Sequence, residues 1–191
     1  DQRLSRGLGD VYKRQMNSCA KLGKRSIVAT HLLESMIENP TPTRAEVTDV
    51  ANAVYEGADA IMLSGETSIG KYPVECVKFL KSISKRTEKF KPLEYEKELI
   101  TNSDWESIAV AARDLSESIS ADGIIAVTRT GSTAGYISNA KPKDIPIYTF
   151  TNNINTLNQL SLVGSVIPFY LKRLNNHKKT LEHVRDVLKP L

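Results

Sequence analysis

Three short stretches of sequence decide the fold of the first half of the chain. Residues 26–30 read SIVAT, residues 40–54 read PTPTRAEVTDVANAV, and residues 59–67 read DAIMLSGET. The first and third stretches each contain a continuous apolar run, which is typical of strands buried on both faces of a parallel sheet. The middle stretch repeats apolar residues at three- and four-residue steps, which predicts an amphipathic helix. The expected order is therefore strand, helix, strand.

The ends of the predicted helix carry recognisable signals. Thr43 is followed three residues later by Glu46, the spacing of a capping box, in which each side chain accepts a hydrogen bond from the other residue's amide. Pro42 precedes this pair, and Gly57 follows the last apolar residue of the pattern, as a helix stop should. The helix is therefore expected to begin just after Thr43 and to end before Gly57.

Polar side chains follow both strands, at Thr30 after the first and at Ser64 and Glu66 after the second. Successive strand–helix units of this kind form parallel barrels, which keep their active sites at the carboxyl ends of the strands. A glycine-rich loop then leads to a helix that is expected to begin at Pro73. The predicted apolar stripe of that helix consists of Val74, Val77, Leu80 and Ile83.

The second half of the chain alternates strands and helices after a charged, weakly periodic stretch at residues 91–104, which is interpreted as a linker between domains. This alternation predicts a smaller α/β domain with a mostly parallel sheet. Its predicted strands are residues 124–128, 146–151 and 166–171, and its predicted helices are residues 105–119, 132–139, 154–162 and 181–188.

Three motifs in the first half resemble pyruvate kinase when they are taken in order: ATHLLESM at 29–36, PTRAE at 42–46 and MLSGET at 62–67. The resemblance extends from about Lys13 to Leu191. It implies the last β/α units of a TIM (β/α)8 barrel at 16–90, and a pyruvate kinase carboxy-terminal α/β domain, expected to be truncated, at 105–191. Residues 1–15 fit neither part and are expected to be a non-native, artefactual segment, since no apolar signal-peptide core follows their basic residues.

The resemblance also implies a reaction, in which a phosphoryl group passes from phosphoenolpyruvate to ADP to give pyruvate and ATP in cytoplasmic glycolysis. In the family, the threonine matching Thr30 lies beside the carbon that is protonated, and the residues matching Ser64 and Glu66 belong to a water-linked proton relay. Hydroxyls, a carboxylate and ordered water can carry such a proton to the enolate that phosphoryl transfer leaves behind. The arginine matching Arg44 lies near a subunit contact of a homotetramer, and His31 stands where the family generally has glutamine.

A second candidate site lies in the loop between the first predicted strand and helix of the second domain. Hydroxyls, a glycine and free amides at a helix start can form a phosphate cradle. In many pyruvate kinases the matching loop holds a phosphate of a sugar-phosphate effector. The alternative is that Ser132 or Thr133 only caps the helix. The residues of this predicted effector site are Thr128, Thr130, Gly131, Ser132 and Thr133.

The family draws its Mg²⁺ and K⁺ ligands, its phosphoryl-binding arginine and its catalytic lysine from earlier barrel strands than those recognised in this chain. Two β/α units cannot close a barrel, so the chain alone is expected to be inactive and to act only as a fragment of the enzyme. The alternative is a non-catalytic module that binds a phosphorylated metabolite or another subunit through the second domain.

Composition argues against several other classes of protein. The net charge is +4 over 191 residues, but residues 1–15 contribute four basic and two acidic side chains, so half of the excess positive charge lies there. The sequence also lacks a dense basic stripe interleaved with aromatic residues, so it does not predict a nucleic-acid partner. No apolar run is long enough to predict a membrane span. Two cysteines, Cys19 and Cys76, are too few and too far apart to predict a disulfide framework or a zinc site, which favours a reducing compartment.

Overall fold

The structure is a computed structural model that describes residues 2–29, 31–90, 99–172 and 176–189. The chain divides into two compact units, Asp1–Leu99 and Ile100–Leu191, which are described separately. The division falls inside the stretch 91–104 that the sequence assigns to a linker, of which residues 91–98 lie outside the described part. No helix in the described ranges combines the length and the apolar character that crossing a membrane requires.

Unit 1 contains the predicted strand, helix and strand. Its two short strands pair in parallel, with Ile27 opposite Ala60 and Val28 opposite Ile61. A 3-10 helix, Glu34–Ile37, lies between the first strand and the predicted helix. The remaining elements, in chain order, are α1 (Gln2–Lys21), β1 (Ile27–Val28), α2 (Arg44–Tyr55), β2 (Ala60–Ile61), α3 (Gly65–Ser68) and α4 (Pro73–Thr87).

The first helix has no counterpart among the sequence predictions. Helix α1 covers residues 2–15 and continues to Lys21. Leu4, Leu8, Val11 and Tyr12 recur at the three- and four-residue steps of an apolar stripe, so the periodicity of the sequence does indicate this helix, and the prediction missed it. Met16, in its second half, is buried.

Both ends of α2 have the predicted geometry. The Thr43 hydroxyl accepts from the Glu46 amide at 3.3 Å, and the Thr43 amide donates to Glu46 Oε2 at 2.7 Å, which completes the capping box. At the other end Gly57 has φ = 79°, the left-handed conformation that favours glycine after a helix. The Ala58 amide then donates to the Ala53 carbonyl at 3.1 Å. These predictions are confirmed.

The core of unit 1 lies where the 3-10 segment meets α2 and α4, and it shows that the predicted stripe of α4 is partly wrong. Val74 and Val77 are 58% and 52% exposed. The face of α4 that packs inward is instead Cys76, Phe79, Leu80 and Ile83. Both sets follow helical spacing, and only the position of the neighbouring elements decides between them. The fully buried or nearly buried members of the core are Leu32, Leu33, Met36, Val50 and Cys76.

Unit 2 is built on a three-stranded sheet whose strands lie side by side in chain order, and both pairings are parallel. The prediction of a second α/β domain with a mostly parallel sheet is therefore confirmed. The last helix begins at His177, four residues before the predicted start, because the Asn176 side chain accepts a cap hydrogen bond from Lys179. The elements are α5 (Asp104–Ser118), β3 (Ile124–Val127), α6 (Ser132–Asn139), β4 (Ile147–Thr151), α7 (Ile154–Leu160), β5 (Val166–Tyr170) and α8 (His177–Leu188).

The core of unit 2 lies on both faces of the central strand β4. On one face Ile147 packs with Ala109 of α5 and Ile137 of α6. On the other face Phe150 packs with Val184 of α8 and stacks on Phe169, with ring centroids 5.1 Å apart. Helices therefore cover both faces of the sheet, which is the usual arrangement for a parallel sheet.

Candidate functional site

The first candidate site lies at the carboxyl ends of β1 and β2, and its central side chain is Glu66. Glu66 is in the first turn of α3 and is only 3% exposed. Its Oε1 accepts the Leu33 amide at 3.2 Å, and its Oε2 accepts the Ser64 amide at 2.8 Å. One carboxylate therefore joins the segment that follows β1 to the segment that follows β2.

Two opposing effects act on the pKa of Glu66. Burial by itself raises it, because a charged group loses its hydration. The amides of Glu66, Ser64 and Leu33, followed by the charge of His31, favour the ionised form and outweigh the burial, so the pKa lies below its usual value. At neutral pH Glu66 is therefore a buried carboxylate that accepts hydrogen bonds from its surroundings.

The loop around Glu66 is closed by an approach of backbone to backbone. A Cβ placed on Gly70 would lie 2.4 Å from the Glu66 carbonyl oxygen, so only glycine fits there without a shift of the backbone. The Gly70 amide donates to the Gly65 carbonyl at 3.0 Å, and the Lys71 amide donates to the Ile37 carbonyl at 2.9 Å. The glycines of this loop thus hold the Glu66 backbone in place.

Cys76 of α4 lies directly behind Glu66. Its thiol is fully buried and lies 3.7 Å from the Glu66 carbonyl, to which it donates. Burial, and then the negative charge of Glu66, raise the pKa of the Cys76 thiol. Cys76 is therefore a protonated packing residue here, and it supplies no nucleophile to the site. Cys76 and Cys19 are both free cysteines.

The other predicted site residues have different outcomes. Thr30 lies outside the described residues, so its position next to Glu66 stays a prediction. Ser64 is exposed, and its amide is the one that binds Glu66. His31 is exposed with φ = 51°, and its Nδ1 lies 3.0 Å from Glu34 Oε2. Arg44 is exposed in the first turn of α2, and its role at a subunit contact stays a prediction.

Sequence reasoning did not identify the hydrogen-bond donors to Glu66. The Leu33 amide is a backbone group, and every residue except proline has one, so no side-chain pattern marks it. The sequence also did not predict that Gly70 approaches the Glu66 carbonyl or that Cys76 packs behind Glu66, although a glycine four residues after a candidate carboxylate is a visible signal of a close backbone approach.

The second candidate site is the loop between β3 and α6. The Thr128 hydroxyl is buried and accepts the Gly131 amide at 3.0 Å. Gly131, with φ = 87°, is the N-cap of α6, and the helix has no side-chain cap hydrogen bond. The alternative that Ser132 or Thr133 caps this helix is therefore wrong. The Thr130 and Ser132 hydroxyls lie 2.9 Å apart and are exposed, so hydroxyls and helix amides meet at one point as predicted.

Helix α7 packs against this loop and supports it. The Thr156 hydroxyl donates to the Arg129 carbonyl at 3.0 Å. A Cβ on Gly131 would be 3.4 Å from both Thr156 and Leu160, which is ordinary contact, so φ rather than space is what favours glycine there. The amino terminus of α7 differs from that of α6, because the Asn153 side chain caps it by accepting from the amides of Asn155 and Thr156.

The described side chains do not form a metal site. In the described ranges, no three or more histidine, cysteine, aspartate or glutamate side chains lie close enough together to hold a metal ion.

Comparisons with known proteins agree on one family. The family model for the pyruvate kinase barrel domain matches residues 8–77, starting inside the segment 1–15, and the model for the pyruvate kinase alpha/beta domain matches residues 106–190. Pyruvate kinase from Thermotoga maritima is 44% identical over 163 residues, which are 83% of this chain and 34% of that protein. Pyruvate kinase 2 from Synechocystis is 39% identical over 177 residues, covering 93% of this chain and 30% of that protein.

A crystal structure of a pyruvate kinase from Cryptosporidium parvum superposes with a TM-score of 0.86 at 30% sequence identity, over 93% of this chain and 37% of that one. The chain thus spans roughly a third of the length of the proteins it matches.

Proposed function

The chain belongs to the pyruvate kinase family, and from this we propose that it forms part of an enzyme that transfers a phosphoryl group from phosphoenolpyruvate to ADP. The products are pyruvate and ATP, and the step belongs to glycolysis. Since the chain spans roughly a third of its relatives, the activity is proposed for a protein that also supplies the earlier barrel strands.

The observation that carries this proposal is the buried carboxylate of Glu66 at the ends of two adjacent parallel strands. This edge is where parallel barrels gather their catalytic groups. A carboxylate that is both buried and held ionised by amides from two strand-end segments is a built feature, since charged groups are rarely buried without such partners.

The chemistry that suits this carboxylate is the delivery of a proton. When the phosphoryl group leaves phosphoenolpyruvate, the enolate that remains takes a proton at its methylene carbon and becomes the methyl group of pyruvate. We propose that Thr30 and Ser64 hold the water or hydroxyl from which that proton comes. Glu66 orients this relay by accepting hydrogen bonds, because its lowered pKa makes it a poor store of the proton itself.

Phosphoryl transfer in this family uses Mg²⁺ and K⁺, which balance the charge of the phosphates. The resemblance of this sequence to pyruvate kinases assigns the Mg²⁺ and K⁺ ligands to earlier barrel strands, which supports placing these ligands outside this chain. We therefore propose that the purified chain of 191 residues does not convert phosphoenolpyruvate, and that it gains activity only as part of the complete barrel.

The test separates proton delivery from phosphoryl transfer. In the complete enzyme, the exchange of pyruvate methyl protons with D₂O, followed by NMR, reports enolate protonation without any transfer to ADP. We expect Glu66→Gln to slow this exchange about 100-fold or more, as loss of general acid–base assistance does. Glu38→Gln is the control, since the Glu38 side chain is exposed and pairs with the exposed Lys71 side chain. Equal exchange rates in Glu66→Gln and the unchanged enzyme would refute the role of Glu66.

A second candidate function is favoured by the loop at residues 128–133. We propose that it binds a phosphate group of a sugar-phosphate effector, because the N-cap residue of α6 is Gly131, which has no side chain to cap the helix. The Thr128 and Thr130 hydroxyls accept the amides of Gly131 and Ser132, so the phosphate would bind the next two amides of the helix. The same loop would serve the alternative, a non-catalytic module that binds a phosphorylated metabolite or another subunit.

This binding is measurable on the chain as it stands. A titration with glucose 6-phosphate should shift the amide NMR signals of Thr133 and Ala134, which follow Ser132 in the first turn of α6. The amides at the start of α7 are a built-in control, because the Asn153 side chain already occupies them. Shifts of equal size at both helix starts, or at neither, would refute an effector site in this loop.

Three further features remain proposals: a homotetramer with Arg44 near its subunit contact, a cytoplasmic location, and the absence of nucleic-acid and membrane partners. The exposure of Arg44 at the start of α2 is compatible with a contact to another subunit. Size-exclusion chromatography of the complete enzyme with Arg44→Ala tests the first of them, and an unchanged elution volume would count against it.

A further inference from the structure

Glu46 makes more hydrogen bonds than a helix cap requires. Besides its bonds with Thr43, its Oε1 accepts the Ser35 amide at 2.7 Å and its Oε2 accepts the Ser35 hydroxyl at 2.5 Å. Ser35 is eleven residues earlier in the chain. A capping box is complete with the threonine alone, so the two bonds to Ser35 serve another purpose.

The Ser35 contact leads directly to the candidate active site. Ser35 lies in the 3-10 helix that starts right after Leu33, and the Met36 amide donates to the Leu33 carbonyl at 2.9 Å. The Leu33 amide is in turn one of the two donors from neighbouring backbone segments to the Glu66 carboxylate. A short, continuous path of hydrogen bonds and backbone thus joins the start of α2 to Glu66.

We propose that Glu46 is a positioning residue for Glu66: by holding Ser35, it fixes the direction in which the Leu33 amide points at the Glu66 carboxylate. As far as catalysis is concerned, this inference rests on the proposed role of Glu66 in proton delivery. As a statement about the geometry of Glu66, it stands without that role.

Apolar burial alone does not explain how the Leu33 amide is aimed. The side chains of Leu33 and Met36 are fully buried and place this segment in the core, but burial has no preferred direction. A hydrogen bond weakens steeply when its angle departs from linear, so the Leu33–Glu66 bond needs a segment that cannot rotate. The two bonds from the Ser35 amide and hydroxyl to the Glu46 oxygens supply that restraint.

The state of Glu46 suits this role. Partial burial raises its pKa, but the hydrogen bonds from Ser35 and then from Thr43 outweigh the burial and lower it. Glu46 is therefore ionised at neutral pH, and bonds to an ionised acceptor are the stronger kind.

The experiment measures the pKa of Glu66 by carbon-detected NMR titration of the side-chain carboxyl in the 191-residue chain. In Glu46→Ala we expect this pKa to rise toward its usual value, because the Leu33 bond weakens. We also expect the Leu33 amide to exchange on the order of tenfold faster, the effect of losing one hydrogen bond. Removing the negative charge of Glu46 would by itself lower the pKa of Glu66, so a rise has to come from the lost geometry.

Thr43→Ala is the matched control, because it removes the threonine hydroxyl from the capping box while leaving Ser35 bound to Glu46. We expect the pKa of Glu66 to be unchanged in this variant. In Glu46→Gln one oxygen can still accept from the Ser35 amide, so the pKa should lie closer to that of the unchanged chain than in Glu46→Ala. If Glu46→Ala does not fold, Ser35→Ala carries the test, with a smaller rise expected.

The proposal is overturned if the pKa of Glu66 stays the same or falls when Glu46 or Ser35 is changed, or if Thr43→Ala raises it as much. These outcomes do not depend on enzyme activity. The isotope-exchange assay can refute a catalytic role for Glu66 while the NMR titration still supports positioning by Glu46. The titration can equally refute the positioning while the exchange assay supports the catalytic role.

Discussion

Replacing Glu66 by glutamine should destabilise unit 1 in a way that depends on pH. The carboxylate accepts one amide on each oxygen, Leu33 on Oε1 and Ser64 on Oε2. Glutamine keeps one carbonyl oxygen, and its NH₂ group then faces the second amide, donor against donor. One charge-assisted bond becomes a neutral one, and a buried amide loses its acceptor.

The size of the effect follows from those two losses. Hydrogen bonds to charged groups contribute about 1.5–3 kcal/mol, and a buried donor left without a partner costs about 1–3 kcal/mol. Allowing for partial relaxation, we expect Glu66→Gln to lower the free energy of unfolding of unit 1 by about 2–4 kcal/mol at pH 7.

The pH dependence has a definite sign. The pKa of Glu66 is lower in the folded chain than its usual value, so folding favours the ionised form. This stabilisation is fully present above the unfolded pKa, about 4.3, and is lost as the pH falls through the folded value. The gap between the unchanged chain and Glu66→Gln should therefore shrink below about pH 4.3. The contribution of Glu46, whose pKa is also lowered, cancels in that difference.

Native-state hydrogen exchange with mass spectrometry suits this measurement, because peptides covering residues 31–37 and 60–71 report on unit 1 alone. Trp105, the single tryptophan, lies in unit 2, so its fluorescence during urea unfolding should be the same in both chains. Glu38→Gln, an exposed carboxylate, should cost less than about 0.5 kcal/mol. Protection of residues 31–37 that is equal in Glu66→Gln and the unchanged chain at pH 7 would refute this reasoning, as would a gap that stays constant to pH 3.

Three other substitutions have clear expected results. Gly70→Ala puts a Cβ 2.4 Å from the Glu66 carbonyl oxygen and should cost about 1–3 kcal/mol; unchanged exchange in residues 60–71 would contradict it. Phe150→Ala empties a fully buried site on β4 and should lower the stability of unit 2 by about 3–5 kcal/mol, seen as an earlier urea midpoint by Trp105 fluorescence. His31→Gln should leave turnover of the complete enzyme largely intact and alter only its pH profile, since His31 is exposed; a large fall in turnover at every pH would show a specific role.

Signals confined to a few neighbouring residues predicted this fold well. The Thr43–Glu46 pair, Gly57 and Pro73 each mark a helix end within a residue or two of its observed place. Each of these signals works through a backbone group close in sequence, such as an orphan amide at a helix start or a left-handed turn at its end. No partner from elsewhere in the fold is needed, so the sequence contains the whole interaction.

The stripe of α4 shows where local pattern reading stops. Residues 74, 77, 80 and 83 and residues 76, 79, 80 and 83 both follow helical spacing, and both sets are apolar. Helical periodicity gives the faces of a helix, but it does not say which face meets the core. The choice depends on α2 and the 3-10 segment, whose buried residues Val50 and Met36 share a cluster with Cys76.

The pKa of Glu66 is a second property that local sequence patterns do not determine. Burial alone would raise the pKa of this carboxylate, since desolvation disfavours its charge. The pKa is lowered instead, because donors from the segments after both strands reach the carboxylate, and the Leu33 amide comes from 33 residues away. Those donors are backbone amides, which have no signature in the sequence. A motif can therefore point to a candidate residue, while the protonation state of that residue depends on which backbone segments the fold brings to it. Changing Glu46, as proposed above, would alter the supply of those donors without touching Glu66.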